Sequence, residues 1–333
     1  MRRMNKVKKA KILVVGSFVM DLIVTTPRFP AKGETVLGSR YTTASGGKGA
    51  NQAVQSARSG AEVTMVGKVG RDAFGDAMLQ SVGSSGVNVE RVIRSETEPS
   101  AVGNVQIEEK DGQTNNRIIV VSGANMAITP EEVAFLKEEV AQYDMVILQL
   151  EIPMEINAIV ARYAHEKGVP VMLNSAPYAD MPQELLENIT YISPNEHEAA
   201  LLTGRELATD EDIRWALRKI QEKGVRNALI TLGSRGVAYL SENGELLVAP
   251  AAKNIRVMDP TAAGDSFVGA FCTAVCSGME IGQALVFANY TAGLTCCRMG
   301  AQPSLPLLHE VFALMEEQNV DTADMKRIMK EDN

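Results

Sequence analysis

Short apolar runs of strand length alternate with helical patterns along most of this chain, and this alternation restricts its possible folds more than any other feature. The strand-like runs are residues 11–16, 62–70, 144–150, 169–174, 189–195 and 227–233. The helical stretches between them include residues 130–142, 154–168 and 210–224. Strands that are apolar on both faces and separated by helices form a parallel sheet that helices cover on each side. We therefore predict an α/β fold with a doubly wound, mostly parallel sheet, whose ligands bind beyond the carboxyl ends of the strands.

Two segments, 22–43 and 98–123, do not follow this alternation and are rich in strand-forming residues. Within the second, the polar stretch 108–116 separates two apolar arms, as a hairpin turn does. We predict that the two segments form a small β-sheet lid over the strand ends, with an exposed face that can pair with another subunit. A surface flap without function is the alternative.

The chain ends are predicted to lie outside the folded unit. Residues 1–10 form a basic tail, interpreted as disordered, and 321–333 form a polar C-terminal tail, which leaves 11–320 as one domain. The basic start and the apolar run after it imitate a signal peptide, but Asp21 interrupts the run and no small-residue cleavage pattern follows. A buried first strand is the favoured interpretation, and no run reaches the roughly 18 apolar residues that span a bilayer.

The charge balance and the cysteines narrow the class of protein. The net charge of -8 argues against nonspecific nucleic-acid binding, which needs a basic surface. The four cysteines and three histidines have neither the spacing of a zinc site nor the pattern of a disulfide framework. We expect a cytoplasmic protein with reduced thiols that binds neither nucleic acid nor a membrane.

A glycine-rich segment at 44–60 precedes a helical pattern that begins near Asn51. Three glycines, Gly47 among them, surround Lys48. The segment matches neither the phosphate-binding P-loop nor the dinucleotide fingerprint. Glycines at a helix entrance let the backbone approach a ligand closely, and Lys48 and Asn51 can then form hydrogen bonds with hydroxyl groups. A plain glycine-rich turn is the alternative.

Acidic side chains follow three of the predicted strands. Asp21 comes soon after the first strand, and its carboxylate can accept two hydroxyl hydrogen bonds, which suits a sugar diol. Glu151 stands where the strand-like run 144–150 ends. Asn195 and Glu198 lie three residues apart at the start of a helix, where they can hold hydrated Mg²⁺ beside a phosphate. The alternative for this pair is an N-cap and its capping partner.

Two further turns carry the pattern of a phosphate-handling site. Gly233 and Gly236 follow an apolar strand, a shape that suits either a nucleotide cradle or a tight hairpin turn. Near the C-terminal third, a predicted helix begins in the sequence TAAGD. Its backbone N–H groups are predicted to converge on one spot as an anion hole, and they belong to Ala262, Ala263, Gly264 and Asp265. Asp265 can take a proton from an attacking hydroxyl, as phosphoryl transfer requires, or it can be a helix cap and nothing more.

These motifs together resemble those of the ribokinase family of carbohydrate kinases. The chain contains, in the family's order, GGKGANQA, PNEHEA, ITLGSRG, TAAGDSF and GAQPS, and the likeness runs from about residue 11 to 315. The resemblance implies a ribokinase-like α/β domain with a β-sheet lid, through which family members commonly form homodimers. It also implies ATP-dependent phosphorylation of the 5-hydroxyl of D-ribose to D-ribose 5-phosphate.

The resemblance also implies roles for individual residues. Asp265 corresponds to the catalytic base, and the backbone from Ala262 through Gly264 to the groups that hold the charge of the γ-phosphate. The residues implied in sugar binding are Asp21, Gly47, Lys48, Asn51 and Glu151. Those implied in the ATP site are Asn195, Thr231, Gly233, Ser234, Gly236, Gly264 and Asn289, with Glu198 organising Mg²⁺ and phosphate. An activating K⁺ is implied beside Asp259, Thr261, Thr295, Arg298, Gly300 and Ser304, partly through main-chain carbonyls.

One departure from the family's pattern concerns the sugar. Many members have Asn two residues before the first sugar-binding Asp, and this chain has Val19 there. Valine forms no hydrogen bond with a hydroxyl, so its presence favours a sugar that lacks that hydroxyl, such as 2-deoxyribose. The same chemistry on 2-deoxyribose, another sugar or a nucleoside is therefore the alternative, followed by a non-catalytic sugar-binding protein.

Overall fold

The computed structural model describes residues 9–110 and 113–329 of the chain. Fourteen strands lie within these residues, as follows. They are β1 (Lys11–Val15), β2 (Val19–Thr26), β3 (Arg40–Gly46), β4 (Glu62–Gly70), β5 (Val87–Asn88), β6 (Val92–Ser95), β7 (Val102–Lys110), β8 (Gln113–Val121), β9 (Met145–Gln149), β10 (Val171–Asn174), β11 (Tyr191–Ile192), β12 (Asn227–Thr231), β13 (Val237–Leu240) and β14 (Leu246–Ala249).

The larger sheet contains ten of the described strands and confirms the predicted doubly wound arrangement. Its order is β14-β13-β12-β11-β10-β9-β1-β4-β5, and β6 pairs with the second half of β4. All pairings are parallel except those of β13 and β14 at one edge. Because β1 lies between β9 and β4, the direction of winding reverses there, and the segments that follow these strands border the crevice where ligands bind in such sheets.

Helices cover both faces of this sheet. The described helices are α1 (Lys48–Arg58), α2 (Ala73–Ser84), α3 (Pro130–Val133), α4 (Leu136–Glu139), α5 (Met154–Glu166), α6 (Gln183–Glu187), α7 (Glu196–Thr203), α8 (Asp210–Glu222), α9 (Ala263–Cys276), α10 (Ile281–Cys296), α11 (Leu308–Glu317) and α12 (Ala323–Met329). Helices α3 to α8 pack on one face and the others on the opposite face. Alternate residues of β1 enter the two cores, Ile12 and Val14 on one side and Leu13 and Val15 on the other. None of the described helices combines the length and apolar character that crossing a bilayer requires.

Two predicted elements differ from the structure. The helical stretch 130–142 is broken into α3, α4 and a short turn. Each of the three pieces buries one apolar residue, Val133, Leu136 or Val140, so their burial does not require one continuous helix. The predicted polar tail 321–333 contains α12, whose Met325 and Met329 lie four residues apart on one face and are buried in the core. Residues 1–8 of the predicted N-terminal tail lie outside the described residues.

The second sheet has the order β3-β2-β7-β8 and corresponds to the predicted lid segments. Its β7–β8 hairpin is confirmed by the antiparallel register from Val102 opposite Val121 to Lys110 opposite Gln113, while residues 111–112 at the turn lie outside the described residues. Strand β2 begins at Val19, directly after the three-residue connection from β1. This short connection places the lid beside the carboxyl end of the central strand.

Candidate active site

Asp265 is the third residue of α9, but its side chain does not cap that helix. Asn51 Nδ2 donates a hydrogen bond to Asp265 Oδ2 at 2.9 Å, and Gln52 Nε2 donates one to Oδ1 at 3.0 Å. Asp212 holds the same third position in α8, and there the carboxylate accepts the Thr209 N–H at 3.0 Å and completes a capping box. In α9 no side chain caps the helix. The carboxylate of Asp265 is therefore directed toward α1.

The surroundings of Asp265 combine burial, which favours the protonated carboxyl group, with a positive charge and hydrogen bonds that favour the carboxylate. Its side chain is buried, and this burial raises the pKa of the carboxyl group above its ordinary value. The positive charge of Lys48 and the hydrogen bonds from Asn51 and Gln52 act in the opposite direction. A base whose pKa lies nearer to neutral accepts a proton more effectively than an ordinary aspartate does.

The start of α9 presents backbone N–H groups to open space. Ala262 has a left-handed backbone, with φ at 63°, and the helix begins at the next residue. The N–H of Ala263 donates to Pro260 O at 3.2 Å. The N–H groups of Ala262, Gly264 and Asp265 have no acceptor within the described part of the chain, and a Cβ added to Gly264 would meet no atom within 4 Å. Three of the four predicted N–H groups thus remain available to an anion at this helix N-terminus.

The glycine-rich segment brings α1 directly against the segment that follows β1. Helix α1 begins at Lys48, three residues before the predicted start, because Gly47 turns the chain with φ at 95°. A Cβ on Gly49 would lie 2.5 Å from Ser17 N, so only glycine permits this approach. Lys48 and Asn51, three residues apart on α1, consequently face the same crevice.

Lys48 lies within electrostatic reach of three carboxylates. Its partial burial lowers the pKa of the ammonium group, but the charges of Asp265, Glu151 and Glu198 outweigh that effect and raise the pKa overall. Among the described residues it forms no direct ion pair with any of them. Lys48 therefore remains a cation that is free to contact a ligand between these acids.

Glu151 and a further acid, Asp21, line the side of the crevice next to the lid. Glu151 follows β9 and accepts hydrogen bonds from Ser17 Oγ at 2.5 Å and from the Lys48 N–H at 3.0 Å. Asp21 lies on β2 opposite Gly103 of β7, where any Cβ would collide with its carboxylate. Burial, followed by the charge of Glu151, raises the pKa of Asp21 to about 6.

Asn51 has one polar atom that the described protein does not satisfy. Its Nδ2 donates to Asp265, while its buried Oδ1 has no hydrogen-bond partner among the described residues. A buried acceptor without a partner costs free energy, and a ligand hydroxyl that donates to it removes that cost. This amide therefore points to a hydroxyl-bearing ligand beside Asp265.

Asn195 and Glu198 form the capping box that was one of the two interpretations of this pair. Asn195 Oδ1 accepts the Glu198 N–H at 2.8 Å, and Glu198 Oε2 accepts the Asn195 N–H at 3.0 Å. Glu198 is nevertheless close enough to influence the charge of Lys48. Thr231, at the end of β12, pairs with the backbone of Asn195, so both lie at the same strand ends.

The turn after β12 connects it to β13 in an antiparallel hairpin, and two glycines with positive φ form this turn. Residues Gly233–Arg235 form a single helical turn, and Gly236 follows with φ at 97°. A Cβ on Gly236 would collide with Ala249 O, so the close approach of β14 requires glycine. Ser234 is exposed at the tip.

Both amide donors of Asn289 form hydrogen bonds within the protein. Its Nδ2 donates to Ala249 O and to Pro250 O, each at 3.0 Å. These bonds hold the end of β14 on α10, so the amide donors of Asn289 position this segment, and its role in the ATP site stays a prediction.

The implied cation segments lie side by side. Asp259 Oδ1 accepts the Thr261 N–H and Oδ2 accepts the Gly300 N–H, both at 2.9 Å. The other implied side chains have protein partners, which are Ser266 for Thr295, Glu310 for Arg298 and Ala301 O for Ser304. Because these side chains are engaged, main-chain carbonyls are the groups most available to a cation here.

Sequence reasoning missed Ser17, Gln52 and Gln149. Ser17 donates to Glu151, and Gln52 contacts Asp265 directly. Gln149 Nε2 donates to Gln52 Oε1 at 2.7 Å. Gln149, the last residue of β9, could have been flagged as a polar residue in an apolar run, whereas a contact that depends on the packing of α1 on α9 leaves no trace in sequence spacing.

The chain is similar in sequence to known carbohydrate kinases. The sequence matches the pfkB family of carbohydrate kinases over residues 9–308. It is 40% identical over 304 residues to a ribokinase from Bacillus subtilis, which covers 91% of this chain and 99% of that protein. A deoxyribokinase from Salmonella typhi is 30% identical over 300 residues, or 90% of this chain and 96% of that one.

A solved structure has a similar fold. The Arabidopsis thaliana ribokinase complexed with ribose and ATP superposes with a TM-score of 0.87 at 34% identity, covering 93% of this chain and 99% of that chain. The family inferred from the sequence motifs is thereby confirmed. The chain belongs to the pfkB family of carbohydrate kinases.

Proposed function

We propose that this carbohydrate kinase transfers the γ-phosphate of ATP to the 5-hydroxyl of D-ribose and produces D-ribose 5-phosphate. The observation that carries the proposal is the buried Asp265 beside free N–H groups of α9, with the unsatisfied Oδ1 of Asn51 next to it. The relatives named as ribokinases support ribose as the acceptor.

In this mechanism Asp265 is the general base. Its carboxylate takes the proton of the sugar hydroxyl while the hydroxyl oxygen forms a bond to the γ-phosphorus. The bond between that phosphorus and the bridging oxygen breaks in line, and ADP leaves with the electron pair. The N–H groups of Gly264 and Asp265 stabilise the charge on the transferred group, and the proton on Asp265 passes to solvent after product release.

The remaining side chains orient the sugar. Asp21 and Glu151 accept hydroxyl hydrogen bonds from the side of the lid, and Asn51 Oδ1 accepts one next to the base. Lys48 lies among the carboxylates, where it can donate to a sugar hydroxyl or to the transferred phosphate. Fixing the reacting hydroxyl between base and phosphate supplies much of the rate enhancement in this reaction class.

The metal ions and the nucleotide are part of the proposal. Mg²⁺, when bound with ATP, neutralises charge on the phosphate oxygens. Within the described residues no three His, Cys, Asp or Glu side chains form a metal cluster, which fits an ion held mainly by water and phosphate with Glu198 nearby. The joined segments around Asp259 and Gly300 offer carbonyl oxygens for K⁺, and the strand ends near Asn195 and Thr231 offer space for the nucleotide.

A substrate panel tests the acceptor. With ATP, Mg²⁺ and K⁺ present, we expect D-ribose to have the highest kcat/KM among pentoses, hexoses and nucleosides. Sugar-independent ATP hydrolysis, or turnover of other acceptors with indifference to D-ribose, would contradict the assignment. Replacement of K⁺ by Li⁺ in the same assay tests the cation site.

Val19 makes 2-deoxyribose the second candidate. Val19 and Asp21 lie two residues apart on one face of β2, and both are directed at Gly103. Val19 Cγ1 is 3.6 Å from the position that a Cβ on Gly103 would occupy. This apolar wall leaves a neighbouring sugar hydroxyl without a partner, which lowers the preference for ribose over its deoxy analogue. A higher kcat/KM for 2-deoxyribose than for ribose would select this alternative.

The lid sheet is proposed to form a homodimer. Its edge strand β8 exposes four consecutive apolar residues, Ile118 to Val121, each with more than half of its surface accessible. Exposed apolar strands are protected in most proteins by pairing or burial. We expect light scattering to give twice the chain mass, and we expect Ile118→Glu or Ile119→Glu, on opposite faces of β8, to give a monomer. A monomeric unmodified protein would contradict this.

We also propose a cytoplasmic location. The four cysteines, which are Cys272, Cys276, Cys296 and Cys297, form no disulfide bond among the described residues. Thiols without disulfide bonds are typical of a reducing compartment, and ATP is the phosphate donor of the proposed reaction.

The ionised form of Asp21 is predicted to destabilise the ligand-free protein. Folding raises the pKa of Asp21 from 3.8 to about 6. Below about pH 4 the side chain is neutral and the protein keeps its full stability. As the pH rises through about 6 the buried side chain becomes ionised, and this contribution to the free energy of unfolding is lost. We expect Asp21→Asn to raise Tm at about pH 8, with a gain that vanishes toward about pH 4, and to abolish sugar-dependent turnover. An equal change in Tm at both pH values would contradict the account.

A further inference from the structure

Two buried glutamines form a chain of hydrogen bonds that leads from Asp265 to β9 in the centre of the larger sheet. Gln52 Nε2 donates to Asp265 Oδ1 at 3.0 Å, and Gln149 Nε2 donates to Gln52 Oε1 at 2.7 Å. Both glutamine side chains have no solvent-accessible surface. Burying two primary amides is costly unless they are paired, so their place behind the carboxylate requires a reason beyond packing.

The direction of these hydrogen bonds fixes which end of each amide faces the base. Gln52 Oε1 accepts from Gln149, so the donor end of the Gln52 amide is turned toward Asp265. A reversed Gln52 amide would place two oxygen atoms against each other at the carboxylate. Each donor in such a chain polarises the next, which strengthens the final bond to the anion.

Gln149 itself is held in place by close packing. Its Oε1 lies where a Cβ on Gly16 would be, so the glycine after β1 makes room for this amide. Asn157 Nδ2 of α5 donates to Gln149 O at 2.9 Å and fixes the end of β9. The amide can consequently contact α1 without a rearrangement of the backbone.

We propose that Gln52 and Gln149 are positioning residues for the base: Gln149 fixes the amide of Gln52, and Gln52 orients the Asp265 carboxylate and stabilises its ionised form. This inference rests on the proposed role of Asp265 in the kinase reaction. It assigns a function to two fully buried residues, of which only Gln52 contacts Asp265 directly.

Gln52→Met and Gln149→Met test this proposal, because methionine retains the volume but removes the amide. Gln55→Met is the matched control, since Gln55 lies on the same helix, is equally buried, and bonds with Ser59 and Pro306 O instead of Asp265. Losing a donor to a buried carboxylate favours its protonated form. We expect Gln52→Met to lower kcat about tenfold to a hundredfold with little change in the sugar KM, and to move the acidic limb of the pH profile to higher pH.

Gln149→Met is expected to give a smaller loss of kcat and a smaller shift of the acidic limb in the same direction. In the double variant it should add nothing to Gln52→Met, because Gln149 reaches the base only through Gln52. Gln55→Met should lower Tm and leave the limb in place. Additive losses in the double variant, or a pH profile for Gln52→Met that matches Gln55→Met, would overturn the proposal.

The same measurements separate this proposal from the proposed function. An unmodified protein without sugar kinase activity, or an Asp265→Asn variant with full activity, refutes the function itself. An active protein that needs Asp265 but tolerates Gln52→Met with an unchanged acidic limb refutes only the positioning role.

Discussion

Asp265→Asn is expected to lower kcat by a factor of about 10²–10⁴ while the sugar KM changes little. Asparagine retains the size of the side chain but removes the proton acceptor, so the 5-hydroxyl must react without a base. The Asn51 and Gln52 donors then face an amide instead of a carboxylate, and this costs some stability. Steady-state kinetics with D-ribose and ATP, together with Tm, measure both effects.

Asp212→Asn is the control for this variant. Asp212 is also a buried aspartate at the third position of its helix, but it completes the capping box of α8. We expect that substitution to lower Tm and to leave kcat unchanged. Retained turnover in Asp265→Asn, or an equal loss in both variants, would show that Asp265 is a structural residue.

Lys48→Met is expected to have the second largest effect, a loss of kcat/KM at neutral pH of at least about a hundredfold. The charge of Lys48 is the first of the influences that oppose the effect of burial on Asp265, so its removal raises the pKa of the carboxyl group further. The acidic limb of the pH profile therefore moves to higher pH. Removing the cation also leaves Glu151 and Glu198 without its compensation, and we expect a weaker sugar affinity.

Lys68→Met separates this effect from a general loss of stability. Lys68 is buried and donates to Ala127 O at 2.8 Å and to Glu132 at 2.7 Å, in a pair that does not involve the crevice. Its replacement is expected to lower Tm without moving the acidic limb. A Lys48→Met variant with the pH profile of the unmodified protein would remove Lys48 from the proposed site.

Most of the main fold could be predicted because its signal is local. Continuous apolar runs mark strands that are buried on both faces, and the six predicted strands occur in the structure within a few residues. The ends of elements were less predictable. The start of α1 depends on the positive φ of Gly47, and the formation of α12 depends on the burial of Met325 and Met329. Such features are decided by packing partners far away in the sequence.

The candidate site was predictable where one residue carries the chemistry. The position of Asp265 at a glycine-containing helix start suggested a base, and its bond with Asn51 brings two predicted residues together. The contact of Asn289 with the end of β14 could not be predicted, because nothing in the sequence indicates that partner. The same holds for Gln52, whose role depends on the contact between α1 and α9.

The most direct measurement is a crystal structure with D-ribose and a non-hydrolysable ATP analogue. We predict that the 5-hydroxyl oxygen lies about 2.6–3.2 Å from the Asp265 carboxylate, with Asp21 and Asn51 bonded to other hydroxyls and the γ-phosphate at the N-terminus of α9. A sugar bound elsewhere, or one whose 5-hydroxyl faces away from Asp265, would contradict the central claim.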